Sequence, residues 1–434
     1  MSYGRNLRGN GLRKAVTLSL MLLCGVLAGH AEGAAGQAYR LDPEKLRQAM
    51  AYSHAGHWLH FGAQAWTLLV LWGLLASGTA AKLAASIERK ARRGWLNSAI
   101  FSALLITLLF LTVMLPPAAV GHALAVHYGI SIQGWIPWLA EASTSLRNFI
   151  VGATFLFMLA HYLIVWSPKR YWLWFASAMI PLTLVGAFVL PTLIDPMYDK
   201  YEPLGATHAA LVTQLERVVA RTGTAIPPER MYLQRAAQKG NGINARVTGI
   251  GSTKRIVVWD TTADRLPMDE VLFIFGHESG HYVLNHIAIG MVLGVVGGFA
   301  MLYLVSRLAA WLIGRYGEGW GVPSLSSLAG LVVLLLAVAM LQDVTAPIPN
   351  GISRWEEHQA DVYGQEALHG LVADPQKTAL SAFQHMGEAG LDDPNPNAFI
   401  EFWTYDHPST QSRANFAAHY DPWVPGGKPK FFPR

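Results

Sequence analysis

The sequence predicts a mainly α-helical, polytopic membrane protein with six or seven transmembrane helices and a small α/β region. Of its 434 residues, 52% are hydrophobic and only 14% are Asp, Glu, Lys or Arg, whereas about a quarter of the residues in a typical soluble domain are charged. The mean hydropathy of +0.28 is also too high for a soluble enzyme. Long uncharged runs alternate with short polar loops, which is the pattern of a chain that crosses a bilayer several times.

Charge and cysteine content exclude several classes of function. The net charge is only +5, and no block of five or more consecutive basic residues is present, so nucleic acid is not an expected partner. Cys24 is the only cysteine, which excludes both a disulfide framework and a zinc site built from thiolates. Any metal ion must therefore be held by histidine and carboxylate side chains.

The N-terminal residues 1–33 form a separate predicted segment. Basic residues between Arg5 and Lys14 precede an apolar run from Ala15 to Gly29, and small residues follow. This order is typical of a secretory signal peptide. The run could also stay in place as a short first span, because a bilayer can thin around it. The sequence therefore leaves two interpretations of this segment, a signal peptide or a first transmembrane helix.

Six further uncharged runs are long enough to cross a membrane, and they occupy residues 34–194 and 287–342. The predicted spans are Phe61–Ala81, Leu96–Val120, Asn148–Trp166, Tyr171–Ile194, Ile287–Ser306 and Gly319–Gln342. Pro116 and Pro117 predict a kink near the end of the second span, because proline lacks a helical hydrogen-bond donor and clashes with the preceding turn.

Two polar regions, residues 195–286 and 343–434, are expected to carry the chemistry. In the first region, apolar spacing predicts a helix at Leu211–Ala220, and the run Arg255–Trp259 predicts a strand. Glycines flank an upstream segment, Ile243–Thr248, which could pair with this strand as a hairpin. Pro267, followed by acidic residues, predicts the start of another helix.

His277, Glu278 and His281 form an HExxH motif on this last predicted helix. The two imidazoles lie one turn apart on the same helix face, so both can bind one Zn²⁺ ion. Glu278 is placed to act as a general base toward a water molecule at the metal. A catalytic zinc site takes three protein ligands, so the motif predicts a third ligand elsewhere in the chain.

Glu357 is the candidate for the third ligand. It stands four residues before Asp361 on a predicted helix, so one carboxylate can bind zinc while the other accepts the N–H of a ligand histidine. The neighbouring Glu356 is the competing candidate, but Ala360 at its i+4 position offers no such partner. The spacing therefore favours Glu357.

The sequence resembles the integral-membrane CaaX prenyl proteases of type I, which are zinc metallopeptidases of the gluzincin group. The segments that carry the likeness are Ile194–Lys200, Asn244–Gly249, Lys254–Thr261, the HESGH motif and the EHQAD segment that begins at Glu357. The resemblance implies seven transmembrane helices around a large chamber, with a zinc site at one end in a small α/β catalytic domain of the zincin type. It also implies a peptide or protein substrate that is lipidated or hydrophobic.

The resemblance further implies a role for each matching residue. It assigns His277, His281 and Glu357 as ligands of one zinc ion, Glu278 as the general base and Asp361 as a carboxylate that supports a ligand. It assigns His407 and Arg413, from a C-terminal His-Pro and Arg element, to the oxyanion, and Asn244 and Ala245 to the strand that binds the substrate backbone. Ser279 departs from the family, which usually has a more apolar residue there.

These residues predict a membrane-embedded zinc metalloendopeptidase that hydrolyses prenylated or hydrophobic peptides. The alternative is a quality-control metalloprotease of the membrane with no prenyl requirement, and the signal-like N-terminus, which is typical of a bacterial inner-membrane protein, favours it. A multi-span transporter with a regulatory zinc ion is a third interpretation. It is disfavoured because no Asp, Glu, Lys or Arg lies inside the predicted spans, whereas ion pathways usually need such groups.

Charge distribution and family resemblance predict opposite orientations in the membrane. Basic residues crowd the loop between Lys82 and Arg93 and recur in two further loops, at Lys169 and Arg170 and at Arg307 and Arg315. The positive-inside rule makes these three loops cytoplasmic, so both polar regions would lie on the periplasmic side. The resemblance instead implies a catalytic domain in the cytosol.

Overall fold

The computed structural model describes residues 38–90, 93–189, 193–249 and 253–432. The predicted signal peptide or first helix at residues 1–33 lies outside these ranges. Six α-helices make up the first half of the described chain. They are α1 (Pro43–Ala76), α2 (Thr79–Lys90), α3 (Gly94–Leu109), α4 (Leu115–His127), α5 (Trp135–Trp166) and α6 (Tyr171–Val189).

The second half combines a small sheet with further helices. Its elements are β1 (Tyr201–Pro203), α7 (Ala209–Thr222), β2 (Met231–Gln234), β3 (Ala245–Thr248), β4 (Arg255–Trp259), α8 (Asp260–Arg265), α9 (Met268–Val283), α10 (His286–Trp320), α11 (Gly330–Thr345), α12 (Pro347–Ala367), α13 (Pro375–Gly390), α14 (Ala398–Thr404) and α15 (Thr410–His419). The helices predicted at Leu211–Ala220 and after Pro267 are confirmed as α7 and α9, and the strand predicted at Arg255–Trp259 is confirmed as β4.

The helices of the described chain are in line with the six predicted spans. Four are long and apolar enough to cross a membrane, namely α1, the continuous helix Gly94–His127, α5 and α10. A fifth candidate is α11, which is followed after a 45° bend by α12. The sixth, α6, is a shorter apolar helix. The protein is therefore a polytopic, mainly α-helical membrane protein.

Two spans begin earlier than predicted. α1 begins at Pro43 instead of Phe61, because Asp42 caps it by accepting hydrogen bonds from two main-chain N–H groups of the first turn. α5 begins at Trp135 instead of Asn148 and so includes Glu141. This carboxylate lies 3.0 Å from Lys239 Nζ in the second half of the chain. The ion pair compensates the negative charge of Glu141, which is why the helix can include a residue that the hydropathy pattern excluded from the span.

The predicted start of the span Gly319–Gln342 is wrong, because the helix is interrupted between Trp320 and Gly330. α10 extends to Trp320, and Gly321 then adopts φ of +67°, the left-handed conformation with which many helices end. The next helix begins only at Gly330. The uncharged residues between them form a connection, which an apolar run alone does not reveal.

Proline disturbs the helix between Gly94 and His127 at the predicted place. Pro116 and Pro117 lie in the first turn of α4, and the preceding residues Phe110–Met114 form a π-helical turn. The wider turn accommodates proline, which cannot donate a hydrogen bond and crowds the carbonyl of the turn before it. The expected irregularity is therefore present as a π-helical segment.

The described strands form one sheet in the order β1-β2-β4-β3. β2 and β4 are parallel, whereas β1 pairs with β2 and β3 with β4 in antiparallel fashion. The predicted pairing of Ile243–Thr248 with β4 is confirmed, with Val247 opposite Ile256. β3 is thus an edge strand of this sheet, and it lies beside α9.

Hydrophobic side chains of the described chain gather in two large clusters. One surrounds the sheet and includes Leu215, Ile256 and Phe275. The other lies among the spans and also includes Ile87 of α2 and Tyr171 at the start of α6, together with residues at the end of α10. The predicted loops at Lys82–Lys90 and at Arg307 and Arg315 are helical instead, since these residues lie in α2 and in the last turns of α10. Because the cluster among the spans adjoins all three basic segments, these segments lie together at the end of the molecule away from the sheet.

Candidate active site

Helix α9 carries the HExxH motif and packs against the sheet. Its apolar residues from Val271 to Phe275 are buried in the cluster around the sheet, which fixes the face that the helix presents. His277 and His281 project from one side, with their Nε2 atoms 3.1 Å apart. The two imidazoles therefore meet as the spacing of the motif predicts.

Helix α12 brings Glu357 to the two histidines. One carboxylate oxygen lies 3.3 Å from His277 Nε2 and the other lies 3.2 Å from His281 Nε2. Tetrahedral zinc with bonds of about 2.0–2.1 Å holds neighbouring ligand atoms about 3.3–3.4 Å apart, so these donors fit one zinc ion. Glu357 Oε2 is buried beside His277 Nε2, and a buried carboxylate oxygen is a suitable acceptor for a cation.

Three glycines allow α9 and α12 to approach closely enough for this contact. A Cβ atom added at Gly364 would lie 2.8 Å from His277 N, and one added at Gly280 would lie 3.0 Å from the Cβ of Tyr363. Gly276 faces Gly364 across the same helix crossing. Because no side chain separates the two backbones here, the carboxylate of Glu357 reaches the histidines on the neighbouring helix.

Asp361 contacts His277 on the side away from Glu357. Its carboxylate lies 2.9 Å from His277 Nδ1. Burial lowers the pKa of His277, but the hydrogen bonds with Asp361 and Glu357 outweigh burial and raise it above its usual range. A carboxylate at Nδ1 holds the ring proton there, so that Nε2 of the neutral ring is free to bind a metal.

Arg413 from α15 holds Asp361 in place. Its guanidinium donates two hydrogen bonds to the Asp361 carboxylate, at 2.7 and 2.9 Å, and stacks 4.7 Å from the ring centre of Phe383. Burial lowers the pKa of Arg413, but Asp361 outweighs that effect and raises it, so the side chain is a permanent cation. Arg413 is thus bound to Asp361, the carboxylate beside His277, and its guanidinium lies 3.5 Å from Glu357 Oε2.

Glu278 adjoins this cluster without joining it. The donor atoms that lie within 4.8 Å of one another come from His277, His281 and Glu357. Burial raises the pKa of Glu278, although the two histidines lower it and a hydrogen bond from the main chain of Val247 also lowers it. A buried carboxylate with a raised pKa beside a metal position is suited to accept a proton from water.

His407 lies in the connection between α14 and α15 and faces the same cluster. Its Nε2 atom is 3.3 Å from Glu357, and its Nδ1 atom is 2.8 Å from the Asp406 carboxylate. The hydrogen bond with Asp406 raises the pKa of His407 against the opposing effect of burial. The imidazole therefore presents a hydrogen-bond donor beside the three candidate ligands.

Strand β3 directs some of its main-chain groups away from β4, next to the site. Asn244 accepts a hydrogen bond from the N–H of Trp259 and donates its own N–H to Thr262 Oγ1. Since bonded and non-bonded pairs alternate in an antiparallel ladder, Ala245 and Val247 direct their N–H and C=O groups away from β4. An added strand can pair with these two residues, whereas the main chain of Asn244 is already engaged.

A cavity of about 690 Å³ lies between the membrane helices and the site. Asn244, His407 and Arg413 line it on one side, and Tyr52 and His57 of α1 line it on the other. The cavity adjoins the candidate metal site through His407 and Arg413, which lie 3.3 and 3.5 Å from Glu357.

Two residues of the site escaped the sequence analysis. Val247, through its main chain, belongs to the edge beside Glu278. His286 lies 3.0 Å from His281, Nδ1 to Nδ1, and the only signal for it in the sequence is a third histidine five residues after the HExxH motif. All the predicted zinc ligands, together with Asp361, His407 and Arg413, are brought together.

Two family profiles together match most of the chain. The sequence profile of peptidase family M48 matches residues 206–421, and that of the CAAX prenyl protease N-terminal region, described as five membrane helices, matches residues 30–200. The metalloprotease YhfN of Bacillus subtilis is 29% identical over 377 residues, which are 87% of this chain and 86% of that protein.

Relatives described as CAAX prenyl proteases match over shorter stretches. The CAAX prenyl protease 1 homolog of Dictyostelium discoideum is 28% identical over 210 residues, which are 48% of each chain, so this chain spans about half the length of that relative. The crystal structure of S. mikatae Ste24p has the same fold, with a TM-score of 0.75 at 20% identity over 88% of this chain and 90% of that one. Together, these matches show that the chain belongs to the CAAX prenyl protease family of M48 metallopeptidases.

Proposed function

We propose that the protein is a zinc-dependent endopeptidase that cleaves hydrophobic or prenylated peptides at the membrane. The observation that carries the proposal is the triangle of His277, His281 and Glu357, whose donor atoms all lie within 4.8 Å of one another and so can bind one metal ion. The triangle adjoins a cavity between the spans and the sheet through His407 and Arg413, which line that cavity and lie 3.3 and 3.5 Å from Glu357. A cleft of this kind can admit an extended peptide.

Each nearby side chain has a role in peptide hydrolysis. Zinc, when bound, supplies a Lewis acid that polarises the scissile carbonyl and lowers the pKa of the attacking water. Glu278 accepts the proton of that water and transfers it to the leaving amine. His407 donates a hydrogen bond to the oxygen that becomes negative in the transition state. Asp361, held by Arg413, keeps His277 in the tautomer that binds zinc.

The substrate backbone is expected to pair with β3. Ala245 and Val247 present their main-chain groups to the site, so an extended peptide can add to this edge regardless of its side chains. In the described structure, Val247 donates instead to Glu278, and an incoming strand would take over that N–H. Binding of the substrate would then free the carboxylate of Glu278 for its role as base.

A second cavity supports the hydrophobic character of the substrate. It has a volume of about 640 Å³, is lined by Met50, Trp58 and Phe61 of α1 and by Ile400, and shares His57 and Asp393 with the first cavity. An apolar pocket that adjoins a peptide site is suited to a lipid chain or a large apolar side chain. This observation favours prenylated peptides among the possible substrates.

The test is cleavage of a fluorogenic farnesylated peptide and of its unprenylated twin by the purified protein in detergent. We expect both to be cleaved and the farnesylated peptide to have the lower KM. Equal kinetics for the two peptides would favour the quality-control alternative. Glu278→Gln is the control, since it should abolish cleavage while zinc stays bound in a 1:1 ratio, and turnover near the wild-type rate by this variant would refute the mechanism.

We also propose that the site lies on the periplasmic side of a bacterial inner membrane. The three basic segments, in α2, at Lys169 and Arg170, and at Arg307 and Arg315 of α10, lie together at the end away from the sheet, and basic residues at the ends of spans face the cytoplasm. In a Cys24→Ser background, single cysteines at the exposed positions Ala85 and Glu229 report the two ends of the molecule. A membrane-impermeant maleimide added to intact cells, with the outer membrane permeabilised, should label the cysteine at 229 and not that at 85. The reverse pattern would establish the cytosolic orientation.

A further inference from the structure

His286 contacts the second histidine of the HExxH motif on its side away from Glu357. The Nδ1 atoms of His286 and His281 are 3.0 Å apart, and the two rings meet edge to face with their centres separated by 5.0 Å. Only 4% of His286 is exposed. The pair is therefore a partly buried hydrogen bond between two imidazoles.

A short turn brings His286 back against His281. α9 ends at Val283, and Asn285 adopts the left-handed conformation, with φ of 60° and ψ of 29°. Asparagine tolerates this conformation better than most residues with a side chain. The turn reverses the chain, so that the first residue of the α10 span lies beside the motif at the end of α9. Trp355 of α12 packs on the same imidazole, with ring centres 6.1 Å apart.

Only one placement of protons satisfies both nitrogens of His281. A neutral imidazole that binds zinc through Nε2 must carry its proton on Nδ1. That N–H can donate to Nδ1 of His286, provided that the proton of His286 is on its own Nε2. His277 has the Asp361 carboxylate in the equivalent place. Each histidine of the motif thus has a partner at Nδ1, a carboxylate for one and an imidazole for the other.

We propose that His286 is a positioning residue for the zinc site, which accepts the His281 Nδ1–H hydrogen bond and fixes the ring orientation in which His281 Nε2 faces the metal. The inference rests on the proposed zinc site. Partners of ligand histidines typically change metal affinity 10- to 100-fold when they are removed. Because His286 is also the first residue of α10, the position of a membrane span is linked directly to a zinc ligand.

The test compares His286→Phe with His286→Asn, both in the Glu278→Gln background. Phenylalanine keeps a ring between His281 and Trp355 but cannot accept a hydrogen bond, whereas the asparagine carbonyl can take the place of Nδ1. The readouts are zinc retained against a competing chelator and the visible spectrum of the Co²⁺-substituted protein, which reports ligand geometry without any turnover. His60→Phe, at an exposed position of α1, is the matched control.

We expect His286→Phe to weaken zinc retention about 10- to 100-fold and to alter the cobalt spectrum, and His286→Asn to restore both. Unchanged retention in the phenylalanine variant would overturn the proposal, as would equal losses in both variants, because packing would then explain the effect. If the phenylalanine variant does not fold, Asn is compared with His286→Gln, whose amide lies near the position of Nε2, and the same order is expected. A parent protein that binds neither metal would refute the proposed function instead.

Discussion

The close approach of α9 and α12 at Gly364 permits a test of what brings the zinc ligands together. Gly364→Ala places a methyl group 2.8 Å from His277 N and 3.0 Å from His277 Cα, whereas ordinary contact begins at 3.4 Å. Both atoms belong to the main chain of His277, so they cannot move aside by a side-chain rotation. The helices must therefore separate by about 0.6 Å (3.4 − 2.8) at this point.

The expected loss falls mainly on the metal site. Zinc–ligand distances hold to within about 0.2 Å, so a separation of this size removes Glu357 or one histidine from bonding distance. Overpacking costs about 1–3 kcal/mol, while alanine gains about 1 kcal/mol over glycine within a helix. Stability without metal should therefore fall by at most about 2 kcal/mol. Zinc binding requires the two helices to approach as closely as they do in the wild type, so it must overcome the full overpacking cost of about 1–3 kcal/mol. The affinity for zinc should therefore drop about 5- to 150-fold.

Gly351→Ala on the same helix is the matched control, because a Cβ there would find only the Arg354 guanidinium, at 3.8 Å. Zinc content is measured by metal analysis after dialysis against increasing chelator, and thermal unfolding is followed with and without the metal. The control should keep its zinc and gain slightly in stability. If Gly364→Ala retained zinc as tightly as the control, the close approach of the two helices would not be what sets the ligand geometry.

Three further predictions concern side chains of the site. Glu357→Ala should lose zinc far more readily than Glu356→Ala, as judged by metal analysis, since only Glu357 lies 3.2–3.3 Å from both histidines; a metal-poor Glu356→Ala would show that the wrong carboxylate had been identified. His407→Phe should lower kcat about 10²- to 10³-fold with little loss of zinc, as for other oxyanion donors, and an unchanged kcat would leave His407 with a structural role only. Arg413→Ala should cost about 3–5 kcal/mol in thermal or denaturant unfolding, because it leaves the buried Asp361 carboxylate without its cation, and a loss below 1 kcal/mol would contradict this ion pair's importance.

Local patterns in the sequence predicted much of the fold. The apolar spacing of α7, the β-branched run of β4 and the proline before α9 each act within one or two turns of chain, and all three elements are present. Span boundaries were predicted less well, because an uncharged run continues past Gly321 although the helix ends there. α5 likewise extends to Trp135, since Glu141 finds its partner Lys239 in a distant part of the sequence.

In the candidate site, too, local spacing predicted some features, whereas others depend on contacts between distant segments. The sequence identified His277, His281, Glu357 and Asp361 because each pair stands one helical turn apart. It could not show which groups of β3 are free, since that depends on the register in which Asn244 pairs with Trp259. Nor could it show that Arg413 holds Asp361.

The sequence by itself determined the polytopic membrane class, the helices that carry the metal ligands and the chemistry of the donors, because these depend on uncharged runs and on spacings within a single helix. Only the tertiary structure decided how the ligands meet. His277 and Arg413 are separated by 136 positions, and α9 and α12 are separated in sequence by two helices that cross the membrane region. Their contact depends on the small volume of Gly276, Gly280 and Gly364 at one crossing and on a left-handed turn at Asn285. Such contacts depend on three-dimensional packing between distant segments, which no local periodicity encodes.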